Sequence, residues 1–242
     1  MKIAIIIPAY NEEKRIGKTL DRYYAFFKAK ENEGIKISLI VVLNGCSDNT
    51  IDVVRQKQKS ISYLFSIDRV QAGKGLAIKA GFEKALEGDF DLIGFVDADM
   101  ATLPQYFYQL ITNLGEFDGI IASRYLKESV VVPARPAIKE WGRRFIYHPL
   151  IWLLFQLRFS DYQCGAKLFK REVIQHVTPF LTVKQWAFDV ELLYLCKKFG
   201  YEIKEIPTTW YDQTGSKLTI GSGGLPMLSH LFKVRWRHIK HK

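Results

Sequence analysis

Cysteine is scarce in this chain. Cys46, Cys164 and Cys196 are widely spaced, and none falls in a CxxC pair. A disulfide framework and a cysteine-based zinc site are therefore excluded, and a reducing compartment fits. The five histidines show neither a catalytic triad nor a metal-ligating spacing. Long apolar runs are missing too. The longest uncharged apolar stretch, residues 145–157, contains His148, Pro149 and Gln156 and falls short of the about 20 residues a membrane-crossing helix needs. No Walker-type GxxxxGK[ST] loop, internal repeat or domain linker occurs. The N-terminus enters an apolar strand at once, so no signal peptide is expected. After Asp212 there is no acidic residue, whereas six lysines or arginines follow it.

Positive charge is what the chain has in excess. A formal net charge of +10 over 242 residues points to an anionic partner: nucleic acid, acidic lipid or a phosphorylated substrate. With 48% hydrophobic and 25% charged residues, the chain has enough apolar material for one large α/β domain, and disorder is not expected.

Strand and helix signals alternate through the first half, which predicts a mostly parallel sheet flanked by helices. Ile3 to Ile7 reads as a buried strand, followed by a helix from about Glu12 with Ile16, Leu20, Tyr24 and Phe27 on one face. Ile37 to Leu43 is a second strand, and Ser47 or Asp48 is placed to cap the next helix. A short strand at Tyr63 to Ser66, a helix opened by Gly73-Lys74-Gly75, and a strand Leu92 to Val96 come next. Pro104 suits a helix first turn, and Gly119 to Ser123 reads as another short strand. In the second half, residues 133–159 mix arginines and lysines with an aromatic, aliphatic middle. A glycine-centred turn at Cys164-Gly165, a helix near Ala187 to Phe199 and an extended piece from Glu202 to Tyr211 complete the reading.

The strongest chemical signal is Asp97-Ala98-Asp99, at the C-terminal end of an apolar strand, where open α/β sheets bind ligands. Two close carboxylates repel unless a cation or protons compensate, and hard divalent ions such as Mg²⁺ or Mn²⁺ meet that need while bridging to phosphates. Capping of the following helix is the plainer reading of such acids. Pro8-Ala9-Tyr10-Asn11-Glu12 ends the first strand: Tyr10 could stack on a base and Glu12 bind base or ribose, or Asn11 could simply cap a helix. Lys74 between two glycines could meet a diphosphate. Arg124, after Ser123 at a strand end, offers a planar fork for a phosphate, or else an ordinary ion pair. Asp189 is the better functional candidate of the two acids in Phe188-Asp189-Val190-Glu191. Lys217, after Ser216, could close over a phosphate.

Taken in order, PAYNEE (8–13), GKGLAIKAGFEKAL (73–86), VDADM (96–100) and ASRY (122–125) resemble the inverting GT-A glycosyltransferases of family 2. DYQCGAKLFKREV (161–173), WAFDVELLYL (186–195) and the W-x₅-SK pattern from Trp210 to Lys217 are similar to the dolichyl-phosphate β-glucosyltransferase branch, near the dolichyl-phosphate mannose synthases. The resemblance implies a GT-A domain over residues 1–220 with membrane-interface helices within 133–160, and a basic tail over 221–242. It also implies Pro8, Ala9, Tyr10 and Glu12 in the nucleotide pocket, with Asp97 and Asp99 holding the metal near Lys74. Ser123 and Arg124 would face the acceptor phosphate, helped by Arg143 or Arg144; Asp189 would sit beside the sugar, and Ser216-Lys217 in a closing loop. Two departures stand out: Asn44 replaces a family acid that contacts base or ribose, and Ala166 replaces a large residue.

The implied reaction moves glucose or mannose from a UDP- or GDP-sugar to a polyprenyl phosphate with inversion. The same donor chemistry on a hydroxyl acceptor, in polysaccharide or glycolipid synthesis, is the alternative, with Asp189 as its base. The basic, aromatic stretch and the cations of Leu231 to Lys242 resemble interfacial helices, so the expected location is cytoplasmic, peripheral on the membrane surface. Nucleic acid is not an expected partner, because the aromatics lie in apolar runs and Asp97 and Asp99 oppose a polyanion.

Overall fold

The structure, a computed structural model, describes residues 1–69, 71–134, 141–185, 187–213 and 231–238. Its first half follows the alternating pattern: β1 (Lys2–Ala9), α1 (Ile16–Lys28), β2 (Lys36–Asn44), α2 (Thr50–Gln58), β3 (Leu64–Arg69), α3 (Lys74–Leu86), β4 (Leu92–Phe95), α4 (Pro104–Asn113) and β5 (Gly119–Ser123). The second half holds β6 (Val130–Val132), α5 (His148–Phe155), β7 (Lys167–Lys170), α6 (Arg171–Val177), α7 (Phe188–Lys198), β8 (Ile203–Pro207), β9 (Thr209–Tyr211) and a helix α8 over 231–238.

Seven strands make one sheet in the order β3-β2-β1-β4-β7-β5-β8. All its neighbours are parallel except β7, which runs antiparallel to both β4 and β5. β6 and β9 form a separate parallel pair. Strand order reverses at β1: β2 and β3 lie on one side of it and β4 on the other. Such a switch point opens a crevice beyond the carboxyl ends of the two strands. Pro8-Ala9-Tyr10 and Asp97-Ala98-Asp99 emerge into it.

Side chains of β1 alternate between two cores, as a strand buried on both faces requires. Ile3, Ile5 and Ile7 pack with α1, α2 and α4, whereas Ala4 and Ile6 face α3, α6 and α7. Helix α8 joins the second core through Leu231 and Val234, so this part of the expected tail is packed against the domain. Three differences from the sequence reading have local causes. α1 begins at Ile16, because residues 12–15 are spent in a turn in which Arg15 and Ile16 N–H both donate to Glu12 C=O. The extended piece at Glu202 to Tyr211 is two strands in two sheets, split at Thr208. β7, immediately after the expected Cys164-Gly165 turn, is only four residues long and carries two lysines, so no alternation marks it.

Residues 141–155 are two-sided. Tyr147, Ile151 and Phe155 are buried, while Trp141, Phe145, Ile146, Trp152 and Leu153 are at least half exposed or close to it. Among the described residues no helix is long and apolar enough to cross a membrane.

Candidate active site

The acidic turn after β4 is anchored from below by α1. Thr19 Oγ1 donates to Ala98 C=O at 2.7 Å, and Tyr23 OH donates to Thr102 C=O at 2.8 Å. Asp99 Oδ1 accepts from Ala101 N–H at 3.0 Å. Burial and then the nearby Asp97 charge push the Asp99 carboxyl up to about 6. The pair therefore carries the like-charge tension expected of a cation site.

Lys74, the first residue of α3, answers part of that tension: its Nζ lies 2.7 Å from Asp97 Oδ1. Burial opposes its charge, but Asp97, Asp189 and Asp99 outweigh burial and hold the Lys74 ammonium above its ordinary range. Gly165 closes the other side of Asp97. A Cβ there would stand 1.9 Å from Asp97 Oδ2, so the backbone before β7 lies directly on the carboxylate.

Asn44 and the glycines flanking Lys74 set the loop that presents it. Asn44 is buried, and its Oδ1 accepts from Gly73 N–H at 2.9 Å. The residue thus positions the Lys74 loop, a role its sequence position did not disclose. At the end of β1, Tyr10 is 40% exposed. Glu12 is closed by a two-pronged bond to Arg15, at 2.6 and 2.8 Å. Asn11 does not cap α1; its side-chain oxygen accepts from Ser47 N–H at 2.8 Å and so joins the two strand-end loops. Asp48 accepts from Thr50 N–H at the start of α2, as expected of a cap.

In the second half the expected site residues are present but already engaged. Ser123 is fully buried, and its Oγ accepts from Tyr125 N–H at 3.3 Å. The Arg124 fork grips Asp161, with Nε to Oδ2 at 2.6 Å and Nη2 to Oδ1 at 2.9 Å, and its guanidinium lies 4.9 Å from the Trp210 ring centre. Burial penalises both charges of this pair, yet the Arg124 guanidinium holds the Asp161 carboxyl below the usual range. Asp189 is 2% exposed and bonds Lys167 Nζ at 2.6 Å, while the same ammonium donates to Cys164 C=O at 2.7 Å. Asp161, Gly165 and Lys167 were not singled out from sequence as site residues. The signal for two of them was available: an acid and a lysine inside apolar segments must find buried partners. Arg143 and Arg144 lie in a π-helical turn (Arg143–Tyr147) whose first side chains are not described. Ser216 and Lys217 lie outside the described residues, as does Trp186.

Among the described residues no cluster of three or more histidines, cysteines or acids gathers at one point. Asp97 and Asp99 are the two neighbouring carboxylates at the end of β4 that would hold a divalent ion. That donor set suits Mg²⁺ or Mn²⁺, which keep waters and share their remaining positions with substrate phosphates.

Residues 4–178 match the family described as glycosyl transferase family 2. This chain belongs to the glycosyltransferase family 2. It is 31% identical to the dolichyl-phosphate β-glucosyltransferase of Dictyostelium discoideum over 98% of this chain and 75% of that one. The enzyme of the same name from Drosophila melanogaster is 32% identical over 99% and 76% of the two chains. Among solved structures, glucosyl-3-phosphoglycerate synthase from Mycobacterium tuberculosis with UDP superposes with a TM-score of 0.68 at 17% identity, covering 98% of this chain and 79% of that one. The same enzyme with Mn²⁺, UDP and glucosyl-3-phosphoglycerate gives 0.67 at 18% identity, over 96% and 78%. The fold of this family 2 glycosyltransferase is accordingly GT-A, with the acidic pair at its switch point.

Proposed function

We propose that this glycosyltransferase moves glucose from UDP-glucose to a polyprenyl phosphate such as dolichyl phosphate, with inversion at the anomeric carbon. The activity of the relatives that this chain is similar to supports the sugar and the acceptor; the UDP complexes of the structural neighbours support the nucleotide. The observation that carries the reading is the engagement of Asp189. Its carboxylate is closed in a buried pair with Lys167. A hydroxyl acceptor needs a free base in this position. A lipid phosphate arrives already ionised and needs only to be held in line.

Tyr10 lies where a base can stack, and Pro8 and Ala9 line the same strand end. Lys74 is aimed at the diphosphate, and Asp97 and Asp99 would hold Mg²⁺ or Mn²⁺. When bound, that ion supplies charge neutralisation on the departing diphosphate. The chain's own share is then orientation: Asn44 and Gly165 fix the two sides of the Lys74–Asp97 pair, and the electrostatics are set before substrate arrives. The exposed face of residues 141–155, with Trp152 and Leu153 outward, supports peripheral contact with the membrane that carries the acceptor. Three cysteines without a disulfide fit a cytoplasmic face.

The test is an assay with radiolabelled UDP-glucose, GDP-mannose and GDP-glucose, each with and without polyprenyl phosphate in detergent. Label from UDP-glucose should enter the organic phase only when polyprenyl phosphate and a divalent ion are both present. Label that enters only water-soluble product sinks the acceptor assignment, and a preference for a GDP-sugar sinks the donor assignment.

A further inference from the structure

Glu191, the second acid of the Phe188-Asp189-Val190-Glu191 segment, is fully buried. Its carboxylate is used on two sides. Toward the segment 181–184 it accepts from Thr182 N–H at 2.9 Å, Thr182 Oγ1 at 2.6 Å and Val183 N–H at 2.8 Å. Toward helix α8 its Oε1 lies 2.9 Å from His238 Nε2. Arg237, also on α8, donates to Thr182 Oγ1 at 3.2 Å, so the helix reaches that segment directly as well as through Glu191.

The segment that Glu191 holds is the backing of the donor-site loop. Gly75 N–H donates to Lys184 C=O at 3.1 Å, and Lys79 Nζ donates to Leu181 C=O at 2.9 Å. The approach is close enough that a Cβ on Gly73 would lie 2.5 Å from Lys184 O, and one on Gly75 would lie 2.2 Å from Val183 O. Lys74 stands between those two glycines and bonds Asp97. A displacement of 181–184 therefore moves the backbone on both sides of Lys74.

We propose that Glu191 is a positioning residue for the donor site: by clamping segment 181–184 against Gly73–Gly75 it fixes Lys74 over Asp97, and through His238 it makes helix α8 part of that clamp. The inference rests on the reading of Lys74 and Asp97 as the diphosphate site. It predicts an effect on donor use and none on acceptor use, because the bonds of Glu191 run to segment 181–184 and to α8, and segment 181–184 backs the Lys74 loop. The carboxylate can be replaced by an amide oxygen toward the two N–H donors, so the conservative variant should restore the clamp.

Steady-state kinetics of the full chain with UDP-glucose and polyprenyl phosphate, run on Glu191→Ala, Glu191→Gln and Asp97→Asn, test this. Glu191→Ala should raise the donor KM about tenfold, the scale of a sub-ångström misplacement. Its acceptor KM should stay within about twofold, and any fall in kcat should be far smaller than that of Asp97→Asn, since the Asp97 carboxylate itself is kept. Glu191→Gln should bring the donor KM back to within about twofold of the parent, because its amide oxygen still accepts both N–H groups. A purely structural role would lower the melting temperature and the active fraction without moving the donor KM, and that result overturns the proposal. If Glu191→Ala fails to fold, Thr182→Val takes its place. It removes the hydroxyl between Glu191 and Arg237 and should raise the donor KM about threefold, the worth of one such bond; an unchanged donor KM overturns the proposal. Asp97→Asn separates the two claims. Full activity in that variant removes the donor-site reading, whereas an inactive Asp97→Asn beside an unmoved donor KM in the Glu191 and Thr182 variants removes the Glu191 assignment alone.

Discussion

The half of the molecule up to Ser123 and the half after it present charge in different ways. In the first, functional side chains sit at strand ends in short local motifs, and the crevice they face lies at the β1–β4 switch point. In the second, the buried charges among the described residues are closed by partners far along the chain. Arg124 finds Asp161 across 37 positions, Lys167 finds Asp189 across 22, and Glu191 finds His238 across 47. Lys74–Asp97 is the first half's counterpart, but it remains partly open, with side-chain exposures of 14% and 25% against 9% or less in the Arg124–Asp161 and Lys167–Asp189 pairs. An ion pair at a crevice can exchange its partner for a ligand; one sealed in the interior holds the framework. The contrast assigns turnover to the first half and rigidity to the second, and each assignment can be broken.

The largest effect belongs to the open pair. Asp97→Asn and Asp99→Asn should each lower kcat by about 10²- to 10³-fold, the scale of losing one preorganised electrostatic group. In Asp99→Asn the melting temperature should hold or rise, because the repulsion recorded in the Asp99 shift is relieved, whereas in Asp97→Asn the loss of the Lys74 ion pair should lower it. A variant that keeps more than a tenth of the parent activity removes these acids from the centre of the chemistry.

Next comes the sealed pair. Arg124→Ala leaves Asp161 as a buried, unpaired charge, which costs about 3–5 kcal/mol. Urea denaturation should show a lower midpoint at an unchanged slope. An unaltered midpoint, together with a raised acceptor KM, would return Arg124 to the acceptor-gripping role its sequence position suggested.

A smaller effect separates the two faces of residues 141–155. Trp152→Ser with Leu153→Ser removes two outward apolar side chains, and vesicle co-sedimentation should fall by about tenfold per side chain, given roughly 1.5–3 kcal/mol for burying each. Activity on a short, water-soluble polyprenyl phosphate should be kept. Equal binding of parent and variant to vesicles would deny this face a membrane role.

Much of this was legible in the residues themselves. The order of strands and helices through β5 follows from apolar runs and their period, and the position of Asp97, Asp99 and Lys74 follows from where those runs stop. What could not be read was pairing between distant residues. Nothing local says that Arg124 would meet Asp161 and not a ligand, that Asn44 would turn inward to Gly73, or that Gly165 would lie against Asp97. β7 escaped notice for the same reason: a four-residue strand between two neighbours is defined by its partners, not by its own pattern. Lys167 and Glu191 did carry a signal, a charge within an apolar segment, but the signal names a need for a partner and not the partner.

The smallest prediction sets the buried carboxylates of the two halves against each other in metal-free buffer. Asp161 has a depressed pKa in the fold because Arg124 outweighs burial, and Glu191 is lowered likewise by His238 and Thr182 against burial. A depressed acid contributes stability above its unfolded pKa and loses it as pH falls through the folded value, so both contributions fade below about pH 4. Asp99 has the opposite sign. Its pKa stands at about 6, so the fold binds this proton more readily than the unfolded chain does, and acidification through pH 6 stabilises the protein. The melting temperature should therefore rise by about 2–4 °C between pH 7.5 and pH 5, the response to roughly 1 kcal/mol in a chain of this size after solvent screening. Below about pH 4 it should fall steeply as the depressed acids are protonated. Asp99→Asn should erase the rise and keep the fall, since it removes the strained carboxylate of the crevice and leaves the sealed pairs intact. A parent curve that declines steadily from pH 7.5 would mean that the crevice acids carry no such tension, and the division between an open, reactive half and a closed, supporting one would lose its electrostatic basis.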